Sequence, residues 1–349
     1  MAYDLFNNIS EIKDFVGGGA NISLHIDSIG PSINPTAKRH LIRWISESQY
    51  NALVTAVDET PTSEETALLP YVQRPLALLT MYEYSNIGGI QIQESGFHRI
   101  ETEHEKTAFK YQENNYKSYM LETGYEAIED MLKFLEANEA DYPLWQASTS
   151  YNRNKTLFVN YASEFRDLYA QYISRYTFEM IRPLIEDVER FAFIPLLGET
   201  EFNNLKTAIL GKSLSAVQQS LVNLIQRAVA NFAIEEGLKR QWVQIKNGNV
   251  VQTESLEPQS TRKESSAAMN ALNVAVNNSE LWANRHIAQI INFLSNNIDD
   301  FPDYKAHLDA QTEAEEEEET DECLDRLVCG CDEFCSCGKK DKKKGVQRL

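Results

Sequence analysis

Residues 177–206 read TFEMIRPLIEDVERFAFIPLLGETEFNNLK, which predicts an amphipathic helix, a turn at Gly198 and the start of a second helix. Apolar residues recur every three or four positions from Phe178 to Val188, the spacing that lines one face of a helix. The opposite face is expected to be solvated. Its acidic residues are Glu179, Glu186, Asp187 and Glu189.

The same pattern occurs 152 residues earlier, where residues 25–54 read HIDSIGPSINPTAKRHLIRWISESQYNALV. The two stretches align without a gap. The identical pairs are Ile29/Ile181, Pro31/Pro183, Ile33/Ile185, Ile42/Ile194, Glu47/Glu199, Asn51/Asn203 and Leu53/Leu205. A self-similarity at a fixed offset indicates a tandem duplication. Ser46 takes the place of Gly198, so we expect the first turn to differ from the second.

Each half continues in the same order after the repeated stretch. An apolar helix comes first, then a short β-hairpin at residues 90–100 or 242–252, then a long closing helix. The fold class predicted is α+β, predominantly α, built by tandem duplication of a helical-bundle domain in which each copy has a β-hairpin and a long closing helix. The predicted domains are residues 1–150, residues 151–310 and a disordered acidic, Cys-rich and Lys-rich tail at residues 311–349.

The charge of the chain bears on its partners. The formal net charge is −19 and the sequence pI about 4.8, so the surface repels phosphate and we expect no sequence-specific nucleic acid partner. No apolar run approaches the roughly 20 residues of a membrane span, so we expect no membrane partner either.

One candidate metal site stands out. Cys329, Cys331, Cys335 and Cys337 lie within nine residues, and four thiolates could bind zinc or an iron–sulfur cluster. Their C-x-C-x3-C-x-C spacing is tight for one tetrahedral ion, and a flexible thiol-rich tail is the alternative interpretation. We predict no catalytic residues and no cofactor-binding residues, because no phosphate-binding loop, nucleophile or paired histidine motif is present.

The apolar pattern from Ile181 to Leu205 resembles an uncharacterised family of proteins encoded in Bacteroidota phages and prophages. Phe165 and the segment Ser174–Phe178 fit that family too. The resemblance covers about residues 1–310 and involves packing residues, so it implies no catalytic role for any of them. A looser similarity links the helical segment to the adaptor proteins that ring the portal at a phage head–tail junction.

The sequence therefore predicts a non-enzymatic phage structural or assembly protein, a head–tail connector component that acts through oligomeric packing. Expected partners are further copies of the chain and phage portal or tail proteins. The expected location is the bacterial host cytoplasm during assembly and then the virion. Two alternatives remain open: a phage-encoded metal-binding or redox regulator that acts through the Cys-rich tail, and an enzyme with a pocket between the two halves.

Overall fold

The structure, a computed structural model, describes residues 4–17, 24–88, 90–93, 96–99, 109–153, 155–169, 173–240, 243–246, 249–252 and 269–314. Residues 1–297 group into one unit, and the residues from 298 onward group into another. The first unit contains nearly all of both sequence repeats.

The first repeat is a succession of helices interrupted by one strand pair. Its elements are α1 (Ile9–Val16), α2 (Ile26–Ile29), α3 (Ile33–Thr36), α4 (Ile42–Ile45), α5 (Glu47–Asp58), α6 (Ser63–Ser85), β1 (Ile90–Gln93), β2 (Gly96–Arg99), α7 (Lys110–Ala137), α8 (Pro143–Gln146) and α9 (Thr149–Arg153). The long helices α6 and α7 pack along each other.

The second repeat follows the same order. Its elements are α10 (Ala162–Leu168), α11 (Arg175–Val188), α12 (Ile194–Leu197), α13 (Glu199–Leu210), α14 (Ala216–Arg240), β3 (Val243–Lys246), β4 (Asn249–Gln252) and α15 (Met269–Asn296). The pair of long helices is here α14 and α15. Helices α7 and α15 are the long closing helices of the two repeats.

Local sequence explains where α6 begins and how closely it packs. Thr62 and Glu65 form a capping box, with Glu65 N donating to Thr62 Oγ1 at 3.2 Å and Thr62 N donating to Glu65 Oε2 at 2.9 Å. At its other end α6 lies against α7 at Gly124. A Cβ atom there would come within 2.7 Å of Leu79 Cγ, so a larger residue would separate the two helices.

The turn between α4 and α5 has the same backbone conformation as its copy between α12 and α13. Ser46 has φ 72° and ψ 153°, and Gly198, 152 residues later, has φ 81° and ψ 148°. The expectation that serine would change this turn is therefore wrong. Ser46 Oγ accepts a hydrogen bond from Gln49 N at 3.3 Å, which offsets part of the strain of a positive φ.

A second shared detail is a π-helical turn. It spans Ala37–Leu41 in the first repeat and Glu189–Phe193 in the second, again 152 residues apart. Such turns are rare in globular proteins, so their recurrence at one position is strong structural evidence for the duplication.

The core of the first repeat consists of aliphatic and aromatic side chains from all its long helices. Its largest fully buried members include Trp44, Trp145, Tyr50 and Phe6. The buried side chains of the second repeat include Phe158, Phe165, Phe178, Phe193 and Leu205. Burial of this apolar surface stabilises the helices, since short helices are marginal on their own.

The strands do not make this an α+β protein, and that predicted class is wrong. Helices build the described body. The strands form only two separate antiparallel pairs of four residues each, with Ile90 opposite Arg99 and Val243 opposite Gln252. Within the described ranges the strands amount to 16 residues in two separate pairs, so the architecture is a repeated helical one.

The second unit begins with a 3₁₀ turn at Ile298–Asp300, followed by α16 over residues 302–314. The first four residues of the predicted disordered tail, 311–314, are therefore helical. Residues 315–349 lie outside the described part of the chain, and the predicted domain boundaries at 150 and 310 stay predictions.

Candidate functional site

The indole of Trp44 lies at the centre of a cluster of arginines. The guanidinium carbons of Arg43, Arg153, Arg175 and Arg182 lie 4.7, 5.4, 5.3 and 5.8 Å from its ring centroid. Trp44 is fully buried. A cation over an aromatic face is attracted by the ring quadrupole, and the attraction is stronger where water is excluded.

Ion pairs to buried carboxylates join the two repeats beside this ring. Arg43 Nη2 lies 2.6 Å from Glu179 Oε2, and Arg175 Nη2 lies 2.7 Å from Glu179 Oε1. Arg175 Nη1 also lies 3.5 Å from Glu129 Oε2 on α7. Arg43 and Glu129 belong to the first repeat, whereas Arg175 and Glu179 belong to the second. We call these four residues the inter-repeat clamp.

Glu129 is held by several donors at once. Its carboxylate accepts from Ala162 N at 3.0 Å and Ser163 N at 3.2 Å, and Lys133 Nζ lies 3.1 Å away. Burial raises the pKa of Glu129, but the hydrogen bond from Ser163 and the charges of Arg175 and Lys133 outweigh it, and the pKa lies below its ordinary value. Glu129 therefore stays ionised and ties α7 to the start of α10.

One turn earlier on α7, Glu126 makes a further connection. Its two carboxylate oxygens accept from Arg166 Nη1 at 3.0 Å and Nη2 at 3.2 Å, and Glu126 Oε1 also accepts from Arg175 N at 3.0 Å. A two-pronged arginine–carboxylate pair fixes orientation as well as distance. Helix α7 thus anchors both α10 and the start of α11.

A cavity of about 700 Å³ opens beside the clamp. Helices α4, α5, α9 and α11 contribute to its wall. Its polar lining includes Arg43, Ser46, Ser150, Arg153, Glu179 and Arg182. It therefore lies between the repeats rather than inside either one.

Arg182 is the most constrained cation in this wall. It is almost completely buried, and burial lowers its pKa to about 10. Its Nη2 donates to the carbonyl oxygen of Arg153, and its Nε lies 3.9 Å from Glu186 Oε1. Among the described residues, Nη1 has no hydrogen-bond acceptor. A buried donor without a partner costs free energy.

The residues around the clamp depart in part from the repeat that the core preserves. At an offset of 152, Arg43 corresponds to Pro195, Trp44 to Leu196 and Arg182 to Gly30, whereas Glu179 corresponds to the acidic Asp27. Arg175 and Glu179 pair within the second copy, and Arg43 and Glu129 extend this group of charges across the junction.

The predicted solvated face of α11 is partly wrong. Glu179 is buried in the clamp. Glu189 is buried too, where its Oε1 accepts from Phe158 N at 2.6 Å and its Oε2 pairs with Lys206 Nζ at 2.5 Å. Burial raises the pKa of Glu189 and lowers that of Lys206. Glu179 pairs with Arg43 and Glu189 pairs with Lys206, each from another helix, and helical periodicity alone does not reveal such partners.

The predicted metal ligands Cys329, Cys331, Cys335 and Cys337 lie outside the described residues. Within the described ranges, no group of three or more His, Cys, Asp or Glu side chains could hold a metal ion. The thiol site stays a prediction.

Sequence reasoning missed the arginine–tryptophan cluster. A signal for it was present: Arg175, Glu179 and Arg182 recur with the apolar spacing of α11, and Arg43 precedes Trp44 in a repeated helix. Charges at apolar positions indicate buried pairs.

A second cavity of about 530 Å³ lies within the second repeat. Its lining includes Tyr169, Arg227, Trp282 and His286. The guanidinium carbon of Arg285 lies 4.8 Å from the ring centroid of Trp282, which is half exposed. Among the described residues that line it, this cavity has an aromatic wall and no cluster of buried ion pairs.

The family model described as a family of unknown function (DUF6712) matches residues 33–155 and, a second time, residues 193–313. The chain belongs to this family. No curated protein and no solved structure matches the sequence. The double DUF6712 match confirms that a domain is repeated. Arg175, Glu179 and Arg182 lie between the two DUF6712 matches, whereas Arg43 and Glu129 lie inside the first.

In the described part of the chain, no helix has the length and apolar character needed to cross a lipid bilayer.

Proposed function

We propose that the protein is a non-enzymatic structural or assembly component of a phage particle, at the head–tail connector, which acts by packing against further copies of itself. The resemblance of Ile181–Leu205 to a phage and prophage family, which is an expectation from the sequence, motivates this proposal. The presence of two copies of one helical domain supports it. Repeat-built helical bodies offer extended surfaces for assembly.

The single observation that carries most weight is the exposure of apolar side chains on both long closing helices. Tyr119 on α7 is 59% exposed, and Val274 and Trp282 on α15 are 59% and 51% exposed. Leu281, seven residues after Val274 and on the same side of α15, is also exposed. Apolar side chains that share an exposed helix face favour burial against a partner.

The negative charge is compatible with a connector. At −19 overall, the chain repels the phosphates of DNA, and a ring of such subunits would let DNA slide through its channel without adhering. Phage portal and tail proteins are the partners that this role implies, first in the host cytoplasm and then in the virion.

The oligomeric state of the full chain tests the proposal. We expect light scattering after size exclusion to report a multimer, and Leu281→Lys to shift it toward monomer because a charge would be buried in the interface. Gln219→Lys is the matched control, since it adds the same charge at an exposed polar position of α14.

A strictly monomeric wild-type chain at high concentration, together with its absence from purified virions by mass spectrometry, would contradict the proposal. Equal effects of both lysine substitutions would show that α15 is not the interface. The alternative of a metal-binding or redox regulator depends on Cys329–Cys337, and nothing in the described ranges favours it.

A further inference from the structure

We infer that the cavity between the repeats is a binding site for a small organic anion, whose phosphate or carboxylate group is held by Arg153 and Arg182. This inference does not depend on the proposed assembly role. It rests on the cavity, on the burial of Arg182 and on the pairing of Glu179 with Arg43 and Arg175, which leaves Arg153 and Arg182 available.

Arg153 supplies the accessible cation. It is exposed at the end of α9, and its guanidinium lies against the buried ring of Trp44 at 5.4 Å. No carboxylate from the described ranges pairs with it. The planar guanidinium presents donors in a fork that matches a carboxylate or phosphate group.

Arg182 supplies the buried cation behind it. Its Nη2 donates to the backbone carbonyl oxygen of Arg153, both residues line the cavity, and its Nη1 has no acceptor among the described residues. Because Nη1 itself is buried, an anion in the cavity would interact with this guanidinium through its positive charge rather than through a hydrogen bond from Nη1.

The carboxylates of the lining leave these two arginines available. Glu179 is already occupied by Arg43 and Arg175, at 2.6 and 2.7 Å. Glu186 lies 3.9 Å from Arg182 Nε and is 58% exposed, so solvent screens much of that interaction. Glu47 is exposed at the rim.

The rest of the wall suits an organic molecule rather than a bare ion. A volume of about 700 Å³ falls in the usual range of small-molecule pockets, roughly 300–1,000 Å³. The hydroxyls of Ser46, Thr149 and Ser150 offer further hydrogen bonds, while Ile42 and Pro183 offer apolar contact. None of the described residues that line the cavity is a histidine or a cysteine, so this lining favours binding rather than imidazole or thiol chemistry.

Calorimetric titration of the full chain tests the site, with inorganic phosphate and glutarate as separate probes at constant ionic strength. We expect saturable binding of at least one probe, and about tenfold or greater weakening in Arg153→Gln because a charged hydrogen bond is lost. Arg285→Gln is the matched control, since Arg285 is also an exposed arginine over a tryptophan. The probe that binds more tightly identifies the anion as phosphate or carboxylate.

The inference is overturned if neither probe binds the folded wild-type chain, or if Arg153→Gln and Arg285→Gln weaken binding equally. Arg153 is exposed, so its variant should unfold at the wild-type temperature. Should it not, Thr149→Val provides a second test, because it removes a hydroxyl from the wall and preserves all charges. An unchanged probe affinity in both Arg153→Gln and Thr149→Val would also overturn the inference.

Discussion

Among single residues, Ser46 carries the clearest local strain. Its φ of 72° with ψ 153° lies in a region that glycine occupies freely and other residues avoid. Gly198 occupies the equivalent turn without that cost. The serine hydroxyl caps α5 through Gln49 N, so one side chain both strains and stabilises the same turn.

We expect Ser46→Gly to raise the free energy of unfolding by about 1 kcal/mol, because relief of backbone strain exceeds the few tenths lost with the cap. Ser46→Ala should lower it by about 1 kcal/mol, because the cap is lost and the strain remains. Urea unfolding measures both. Gly198→Ala is the companion variant and should destabilise by about 1–3 kcal/mol. A stabilising Ser46→Ala would contradict this account.

At the level of elements, helices α6 and α14 each anchor a preceding segment with the same hydrogen bond. Gln73 Nε2 donates to Leu5 O at 2.7 Å, and Gln226 Nε2 donates to Phe158 O at 2.7 Å. Leu5 and Phe158 are both buried, so neither carbonyl has water as an alternative donor. The two copies therefore contain the same glutamine-to-carbonyl hydrogen bond at corresponding positions.

Gln73→Ala and Gln226→Ala are each expected to cost about 1–3 kcal/mol, because a buried carbonyl loses its donor. Hydrogen exchange should show faster exchange around residue 5 in the first variant and around residue 158 in the second. Gln219→Ala, at an exposed position of α14, should change stability by less than about 0.5 kcal/mol. Strongly unequal costs for the two buried glutamines would argue against equivalent roles.

Much of the helical order was predictable from residues whose effects are local. The 152-residue offset predicted the repeat, and apolar spacing predicted α6, α11, α14 and the long closing helices. Local patterns overstated the strands, because alternation over four residues indicates a hairpin but not how little of the body it forms. The predicted fold class was therefore α+β, whereas the described body is helical.

The site was not predictable in the same way. Arg43 and Glu179 are 136 residues apart, and Glu129 and Arg175 are 46 apart, so only the packing of α4, α7 and α11 brings them together. Glu189 was assigned to solvent for the same reason, since its partner Lys206 lies on another helix. Helical periodicity identifies a face but not what covers it.

Across the whole molecule, the inter-repeat clamp fixes one copy against the other. A buried ion pair is costly to break, because the remaining partner is left as an uncompensated charge. Glu129 has a lowered pKa when folded, so its contribution to stability is present above the unfolded value of about 4.5 and is lost as pH falls through the folded pKa.

We expect Glu129→Gln to lower the free energy of unfolding by about 3 kcal/mol at pH 7, since Arg175 loses a charged partner. The difference from wild type should shrink as the pH falls below 4.5, where the unfolded carboxylate becomes protonated, and should be lost below the lowered pKa of the folded state. Urea unfolding at pH 7 and pH 4 measures this. Glu122→Gln, at an exposed position on the same helix, should have little effect at either pH. A pH-independent difference would contradict the clamp's electrostatic role.

The paired π-helical turns at Ala37–Leu41 and Glu189–Phe193 bear on the order of insertion and duplication in the evolution of this chain. A π turn holds one residue more than an α turn, and two independent insertions at the same place are far less economical than one. The extra residue was therefore already present in the ancestor that encoded a single copy. Present-day relatives with one copy should carry it at the corresponding site, and a gene lineage that lacks it would have branched off before that insertion.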